Sequence, residues 1–389
     1  MKILIAHNSY QHSGGEDAVV DAEIALLSGR GHDVHVYRRH NDELKDMSRA
    51  AAAVSAVWSQ RAADEMAALC ERLTPDVIHV HNTFPLISPS VLWMAHRRRI
   101  PVVQTLHNFR LLCPQAMFLR EGRVCEDCLG HVPWRGVARK CYRDSALQSA
   151  VAAGMLATHR MIGTWNARIA AYIALSRFCR DKFIAGGLPA ARLHVKPNFV
   201  ASTRVPDWDG RDGALFVGRL SPEKGLHVLA AAVKRLGANP VRIVGGGPLV
   251  EEARAAFGTA LLGPQPRERV LDLLHGARYL VAPSTSYETF GLALVEAYAC
   301  GTPVIASGHG AFAELVEDGV TGLLFRPGDE EDLAAKIAWA EAHPERMREM
   351  GRAAYRLYTA QFTPARNADM LEAIYRHAMQ TMKEERRVA

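Results

Sequence analysis

The chain has 389 residues, 49% of them apolar and 23% charged, with a formal net charge of +6. That is more than one ordinary core needs and enough for two α/β domains, and the balance is that of a globular protein rather than a disordered or fibrous one. The longest apolar runs, such as Val151 to Leu156, fall far short of a membrane span, and the basic residues form no aromatic-interleaved stripe of the kind that binds nucleic acid.

In chain order, residues Lys2 to His7 predict a buried first strand rather than an export signal, which leads to the expectation of a cytoplasmic protein. Strand signals follow at Asp33 to Arg39, Asp76 to His81, Pro101 to His107 and Tyr172 to Ser176. Helical spacing separates them, as in Ala18 to Leu27 and Arg61 to Leu73. A second series runs Ala214 to Val217, Val241 to Val244, Tyr279 to Pro283, Pro303 to Ser307 and Gly322 to Phe325. Strands alternating with helices predict parallel sheets covered on both faces, and two series predict two doubly wound domains. The boundary is placed near Lys196-Pro197-Asn198 and the punctuated stretch Ser202 to Gly213. The expected division is therefore 1–197, 198–362 and a final helix in 363–389 that returns to the first domain.

Ligands of open parallel sheets bind beyond the carboxyl ends of the strands, so the second-domain loops carry the chemistry. After Ala214 to Val217 come Gly218-Arg219 and then Ser221, Pro222 and Lys224-Gly225. Ser221 and Pro222 predict a helix start, which puts Lys224 in a first turn where the macrodipole disfavours it. An arginine and a lysine so placed suit a multiply charged anion; the plainer alternative is two surface cations. After Val241 to Val244, Gly245-Gly246-Gly247-Pro248 lets backbone approach a ligand closely. After Tyr279 to Pro283, a helix is expected from about Phe290-Gly291, with the Gly291 and Leu292 amides at its positive end. Glu288 precedes that helix and Glu296 lies inside it, either holding ligand hydroxyls or salt-bridged in the core.

In order and spacing, Gly218-Arg219…Lys224-Gly225, Val244 to Pro248 and Glu288-x7-Glu296 resemble family four of the retaining glycosyltransferases. The resemblance covers nearly the whole chain and is densest over 213–327. It implies a GT-B fold, two Rossmann-like domains facing across a cleft, with a nucleotide-diphosphate sugar held by the second. Carried over by position, Arg219 and Lys224 meet the diphosphate, the Gly291 and Leu292 amides its distal phosphate, and Glu296 the ribose. Glu288, beside Phe290, touches the transferred sugar, while the glycine turn and Gly263-Pro264 border the base. In the first domain Gly14-Gly15 matches the loop that approaches the donor phosphate, and His107 the catalytic-face histidine. This chain carries Glu16 and Asp17 after Gly14-Gly15; Asp17 is expected to cap the following helix, and Glu16 faces the acceptor or caps. No Asp-x-Asp pattern occupies a strand end, so catalysis is expected to need no metal or other cofactor.

Cys113, Cys125, Cys128 and Cys141 form a cluster in the long loop region after His107. Cys125-x2-Cys128 with single flanking cysteines provides a thiolate set sufficient for structural zinc; reduced thiols and a redox pair are the alternatives. The expected acceptor is a glycan or lipid-linked molecule met by the loops Ser9 to Gly15, Asn82 to Ser90 and His107 to Trp134. Phe84, Leu86, Ile87, Phe109, Met117, Phe118, Leu119 and Trp134, with Arg110, Arg120 and Arg123, read there as an exposed face suited to the inner, anionic surface of a membrane. The resemblance points to surface polysaccharide assembly; an epimerase of the same fold and an inactive sugar-nucleotide binder are the competing readings.

Overall fold

A computed structural model describes residues 1–11 and 14–388, with no side chains described beyond 384. The expected acceptor loop Ser9 to Gly15 thus runs through His12 and Ser13, which lie outside the described residues. The strands in chain order are β1 (Lys2–Ser9), β2 (Asp33–His40), β3 (Val77–Asn82), β4 (Val102–Leu106), β5 (Leu119–Arg120), β6 (Arg123–Val124), β7 (Ala171–Ala174), β8 (Leu193–Val195), β9 (Ala214–Val217), β10 (Val241–Val244), β11 (Leu261–Gly263), β12 (Tyr279–Ala282), β13 (Val304–Ser307) and β14 (Gly322–Phe325).

The chain divides into two compact units, one of Met1–Phe118, Glu126–Pro197 and Ala365–Ala389, the other of Leu119–Cys125 and Asn198–Pro364. Each unit is built on a six-stranded sheet, ordered β2-β1-β3-β4-β7-β8 in the first and β11-β10-β9-β12-β13-β14 in the second. Every pairing in both sheets is parallel. Parallel strands need helical crossovers that cover both faces, which is why strands such as Val304–Ser307 are buried along their whole length. β8 and β11, of three residues each, carry too few apolar positions to register as strands in the sequence.

The order in which the strands were laid down reverses between β9 and β12 in the second sheet, and between β1 and β3 in the first. Loops leaving neighbouring strands at such a reversal diverge to opposite faces and open a crevice. The Arg219–Lys224 and Glu288–Leu292 loops flank the reversal in the second unit.

The apolar loop residues expected at the surface divide sharply. Leu86, Ile87, Phe109, Phe118 and Leu119 are buried, with Phe109 packed against Phe118 and Phe183 at ring separations of 5.0 and 5.7 Å. Their apolar surface is already removed from water within the fold, so these residues are core and not an exposed face. Trp134, by contrast, is 62% exposed.

Candidate active site

In the second unit, glycines bring three strand-end loops together. Gly245 has φ +142°, and a Cβ there would stand 1.8 Å from the Gly218 carbonyl oxygen. Only glycine permits both the angle and the approach, so the β10 turn lies directly on the β9 turn. Leu220 N–H then donates to the Gly246 carbonyl at 2.9 Å. Gly225 (φ +70°) closes the other side, its missing side chain making room for the carbonyl of Pro283, the residue after β12. Thr285 N–H donates across the same seam to the Glu223 carbonyl at 2.9 Å.

The conformation around Lys224 departs from the expected one. Pro222–Lys224 is a single 3₁₀ turn, and the helix proper, Leu226–Leu236, begins only after Gly225. Ser221 does not cap that turn; its hydroxyl lies 2.5 Å from Glu223 Oε1. Lys224 is thereby released from the helix dipole and swings to Glu288, with Nζ 2.6 Å from Oε1. Ser284 Oγ donates to the same oxygen at 2.8 Å. Burial alone would pull the Lys224 ammonium down, but Glu288 outweighs it and holds the lysine above its ordinary range. Burial likewise pushes Glu288 up, and Lys224 with Ser284 more than reverses this, so the carboxylate stays ionised. The two charges exist together because each pays the other's desolvation.

The helix beyond, Leu292–Ala299, has Gly291 as its N-cap at φ +116°, and a side chain there would strike the Phe312 ring. The first-turn amides of a helix, Leu292 among them, have no acceptor within it, and they carry its positive end. Glu296 is part-buried and meets Arg267 at 3.3 Å; burial raises its carboxyl pKa and Arg267 offsets this in part. The structure thus shows Glu296 in a salt bridge, with Arg267 as its partner. Arg219 is exposed at the end of its strand. The loops Gly245–Pro248 and Gly263–Pro264 abut, Gly245 N–H donating to the Gly263 carbonyl at 3.0 Å. The ammonium of Lys224, the carboxylate of Glu288 and the amides at the start of the Leu292–Ala299 helix lie on adjoining loops, and such groups can bind an anion and hydroxyls.

In the first unit, the helix Gly15–Gly29 starts three residues before Ala18, with Gly14 as its N-cap. Asp17 caps it as expected, accepting from Gly14 N–H at 3.1 Å, and its other oxygen lies 2.9 Å from His7 Nε2. Glu16 does not cap. It accepts from Tyr10 OH at 3.0 Å and more distantly from Asn108 at 3.4 Å, while its Oε1 is buried. Burial, reinforced by Asp17, pushes the Glu16 carboxyl up to about 8, against the pull of Tyr10, Asn108 and Arg110. His107 follows β4, half-buried, with Nε2 2.8 Å from His81 Nδ1. His81 escaped the sequence reading because a histidine inside a strand looks like any core residue there; the alternation His79-x-His81 was its one signal.

Residues 13–204 match the family described as Glycosyltransferase Family 4, and residues 206–357 match that described as Glycosyl transferases group 1. The D-inositol 3-phosphate glycosyltransferase of Rhodococcus erythropolis is 31% identical over 321 residues, spanning 78% of this chain and 68% of that protein. The enzyme of the same name from Mycobacterium leprae is 31% identical over 78% of this chain and 69% of its own. Among solved structures, sucrose-phosphate synthase from Thermosynechococcus elongatus superposes with a TM-score of 0.70 at 19% identity, over 100% of both chains. Anabaena HepE in complex with UDP-glucose gives a TM-score of 0.66 at 19% identity, over 96% of this chain and 99% of that one. At such identities the structural likeness establishes the two-domain GT-B fold.

Glu16 generates a pH signature. A carboxyl raised in the folded state keeps its proton there and loses it in the unfolded chain, so stability falls as pH rises from the ordinary carboxylate range towards about 8. Glu16→Gln, neutral at every pH, should match the wild type near pH 5 and exceed it in melting temperature at pH 8.5. Melting curves at both values check this; identical pH slopes for the two proteins would refute it.

Proposed function

Because the chain belongs to glycosyltransferase family 4, we propose that it moves a hexose-type sugar from a nucleotide-diphosphate donor, with retention of configuration and without a catalytic metal, to a glycan or lipid-linked acceptor in surface polysaccharide assembly. The observation that carries this reading is the hydrogen bond of Lys224 to Glu288 beside the positive end of the Leu292–Ala299 helix. Departure of a nucleoside diphosphate places negative charge on the phosphates and positive character on the sugar carbon. Lys224, Arg219 and the helix-end amides are the groups that meet the first. Glu288 then exchanges the lysine for hydroxyls of the sugar, and Glu296 exchanges Arg267 for those of the ribose. A cation pair and a helix end supply what a divalent ion would otherwise supply. By the family resemblance, Gly14-Gly15 is the phosphate-approaching loop of the first unit and His107 its catalytic-face histidine. UDP-glucose, seen with HepE, is the first donor to test.

Lys224→Ala and Arg219→Ala should each cut turnover of the nucleotide sugar by roughly 100-fold or more, since one lost transition-state donor costs about 2.7–4 kcal/mol. Release of the nucleoside diphosphate measures this, and a wild-type rate in either folded variant would end the reading.

For Cys113, Cys125, Cys128 and Cys141 we propose a structural zinc ion. Their segment has little regular structure to hold it, only the two-residue strands β5 and β6 and the five-residue helix Trp134–Ala138. Cys113 and Cys128 are buried and the other two part-buried, and four thiolates are the number a tetrahedral structural zinc takes. Elemental analysis of protein purified without added metal should find one zinc per chain; a trace or less refutes the ion.

The acceptor side is proposed to meet the anionic inner face of a membrane peripherally. Among the described residues no helix is long and apolar enough to cross one. Val132, Trp134 and Leu147 are each more than 60% exposed, within a segment that also exposes Arg135, Arg139, Lys140 and Arg143. Trp134→Ser should weaken co-sedimentation with phosphatidylglycerol vesicles at low salt. Equal recovery of the wild type with neutral and anionic vesicles would exclude the contact.

A further inference from the structure

The loops that leave β1, β3 and β4 stand side by side at the carboxyl ends of neighbouring strands, across the point where the order of the first sheet reverses. A crevice at such a point is where an open parallel sheet takes its ligand. Tyr10 and Glu16 follow β1, Phe84 follows β3, and Asn108 and Arg110 follow β4. Tyr142 reaches the same cluster from later in the chain, and the donor chemistry engages none of these side chains.

The Arg110 guanidinium is held in place. Its Cζ lies 4.8 Å from the centroid of the Phe84 ring and 4.5 Å from that of Tyr142, and the two rings meet edge to face at 6.0 Å. Nη1 donates to the Pro114 carbonyl. The backbone beneath is fixed too, since Arg110 N–H donates to Asn108 Oδ1 at 3.0 Å. Aromatic rings cover the flat face of a guanidinium and leave its N–H edge for an oxyanion, which that edge grips in a fork. Among the described residues no carboxylate pairs with Arg110.

The carboxyls of the cluster are engaged elsewhere or uncharged. Burial pushes Asp17 up, but its bonds to His7 and to Gly14 N–H more than reverse this, so it is ionised throughout the neutral range. Glu16 accepts from Tyr10 and Asn108 on Oε2, and burial raises its carboxyl to about 8, so it holds its proton at neutral pH. That proton belongs on Oε1, which is buried without a partner. Burial, with Glu16 beside it, raises the Tyr10 phenol well above its ordinary range, against the pull of Arg110. An ionised Glu16 would attract the guanidinium and repel an incoming anion; protonated, it does neither.

We propose that this crevice recognises an anionic oxygen group, phosphate or carboxylate, on the acceptor, with Arg110 as the specificity-determining residue that grips it and Tyr10, Glu16 and Asn108 as its uncharged surroundings. The assignment to the acceptor rests on the reading of the first unit as the acceptor side. Two aromatic rings hold the guanidinium before a ligand arrives, so little side-chain freedom is lost on binding.

The test titrates full-length ¹⁵N-labelled protein, saturated with UDP to occupy the donor's phosphate site, with glucose 6-phosphate, glucuronate and glucose. The Arg110 Nε–Hε signal, assigned with Arg110→Lys, should move and saturate with either anionic sugar and not with glucose. Arg110→Met should weaken glucose 6-phosphate binding by at least ~10-fold, the loss of a hydrogen bond to a charged group. Above pH 7 the phosphate is doubly charged and the guanidinium stays charged, so a further pH dependence reports Glu16. Affinity should fall from pH 7 to 9 as Glu16 ionises, and stay level in Glu16→Gln; a wild-type profile as level as the variant's overturns the part given to Glu16. Equal affinity for glucose and glucose 6-phosphate, or anions that leave the Arg110 signal unmoved, overturns the proposal, and the wild-type titration decides this even where Arg110→Met does not fold. An Arg110→Met protein that loses phosphatidylglycerol vesicles but keeps glucose 6-phosphate assigns the charge to a membrane and overturns it too. Should UDP itself not bind, the donor reading fails, and the same titration without UDP still decides whether Arg110 takes an oxyanion.

Discussion

Much of the second unit's chemistry depends on one contact, the ammonium of Lys224 against the carboxylate of Glu288. Neither charge would remain in a half-buried crevice alone. Together they keep both groups ionised and store a cation and an anion where a polar ligand can separate them. The contact exists because backbone meets backbone beneath it: the Pro283 carbonyl occupies the space a side chain at Gly225 would fill, and the Gly218 carbonyl does the same at Gly245. Absent side chains set the position of the charged ones. The glycines and the Glu288…Lys224 pair form a single device, in which close packing of three turns converts sequence-distant residues into neighbours.

The two units use one architectural rule to different ends. Each places its working loops where the strand order reverses. In the second unit the loops present formal charges and helix-end amides, suited to phosphate. In the first, the strands β1, β3 and β4 bring His7, His79, His81 and the following His107 into one neighbourhood, and burial holds the pKa of His79, His81 and His107 below the ordinary histidine range.

The sheets, their strand series and the donor loops were legible because each has a local signature: an apolar run, a glycine turn, a cation or carboxylate at a fixed spacing. What was not legible depends on partners far apart in the chain. Glu23 falls in a helix where a glutamate reads as solvent-facing, and its burial makes sense only once Lys196, 173 residues later, is known to reach it. The 3₁₀ turn at Pro222–Lys224 was missed because Ser221-Pro222 is also a sound helix start, and the choice was made by the Pro283 carbonyl pressing on Gly225. The apolar loop around Phe109 and Phe118 read as an exposed face because loops usually lie outside; here the loop is long enough to fold a core of its own against Phe183.

The buried Glu23–Lys196 pair bears on how the first unit is held together. A buried ion pair is rarely a net gain over well-packed apolar residues, so Glu23 and Lys196 are expensive if their only task is stability. Tyr375 and Asn367, on the terminal helix Pro364–Val388, hold His79 and Lys196 of the same network. Leu371, Ile374 and Ala378 of that helix are buried as well and could anchor it by apolar burial alone. Polar contacts added beneath an apolar anchor contribute direction rather than adhesion: a hydrogen bond specifies which atom faces which, and a methyl group does not. The terminal helix thus does more than close the first unit, because Tyr375 and Asn367 also orient His79 and the Lys196–Glu23 pair within it.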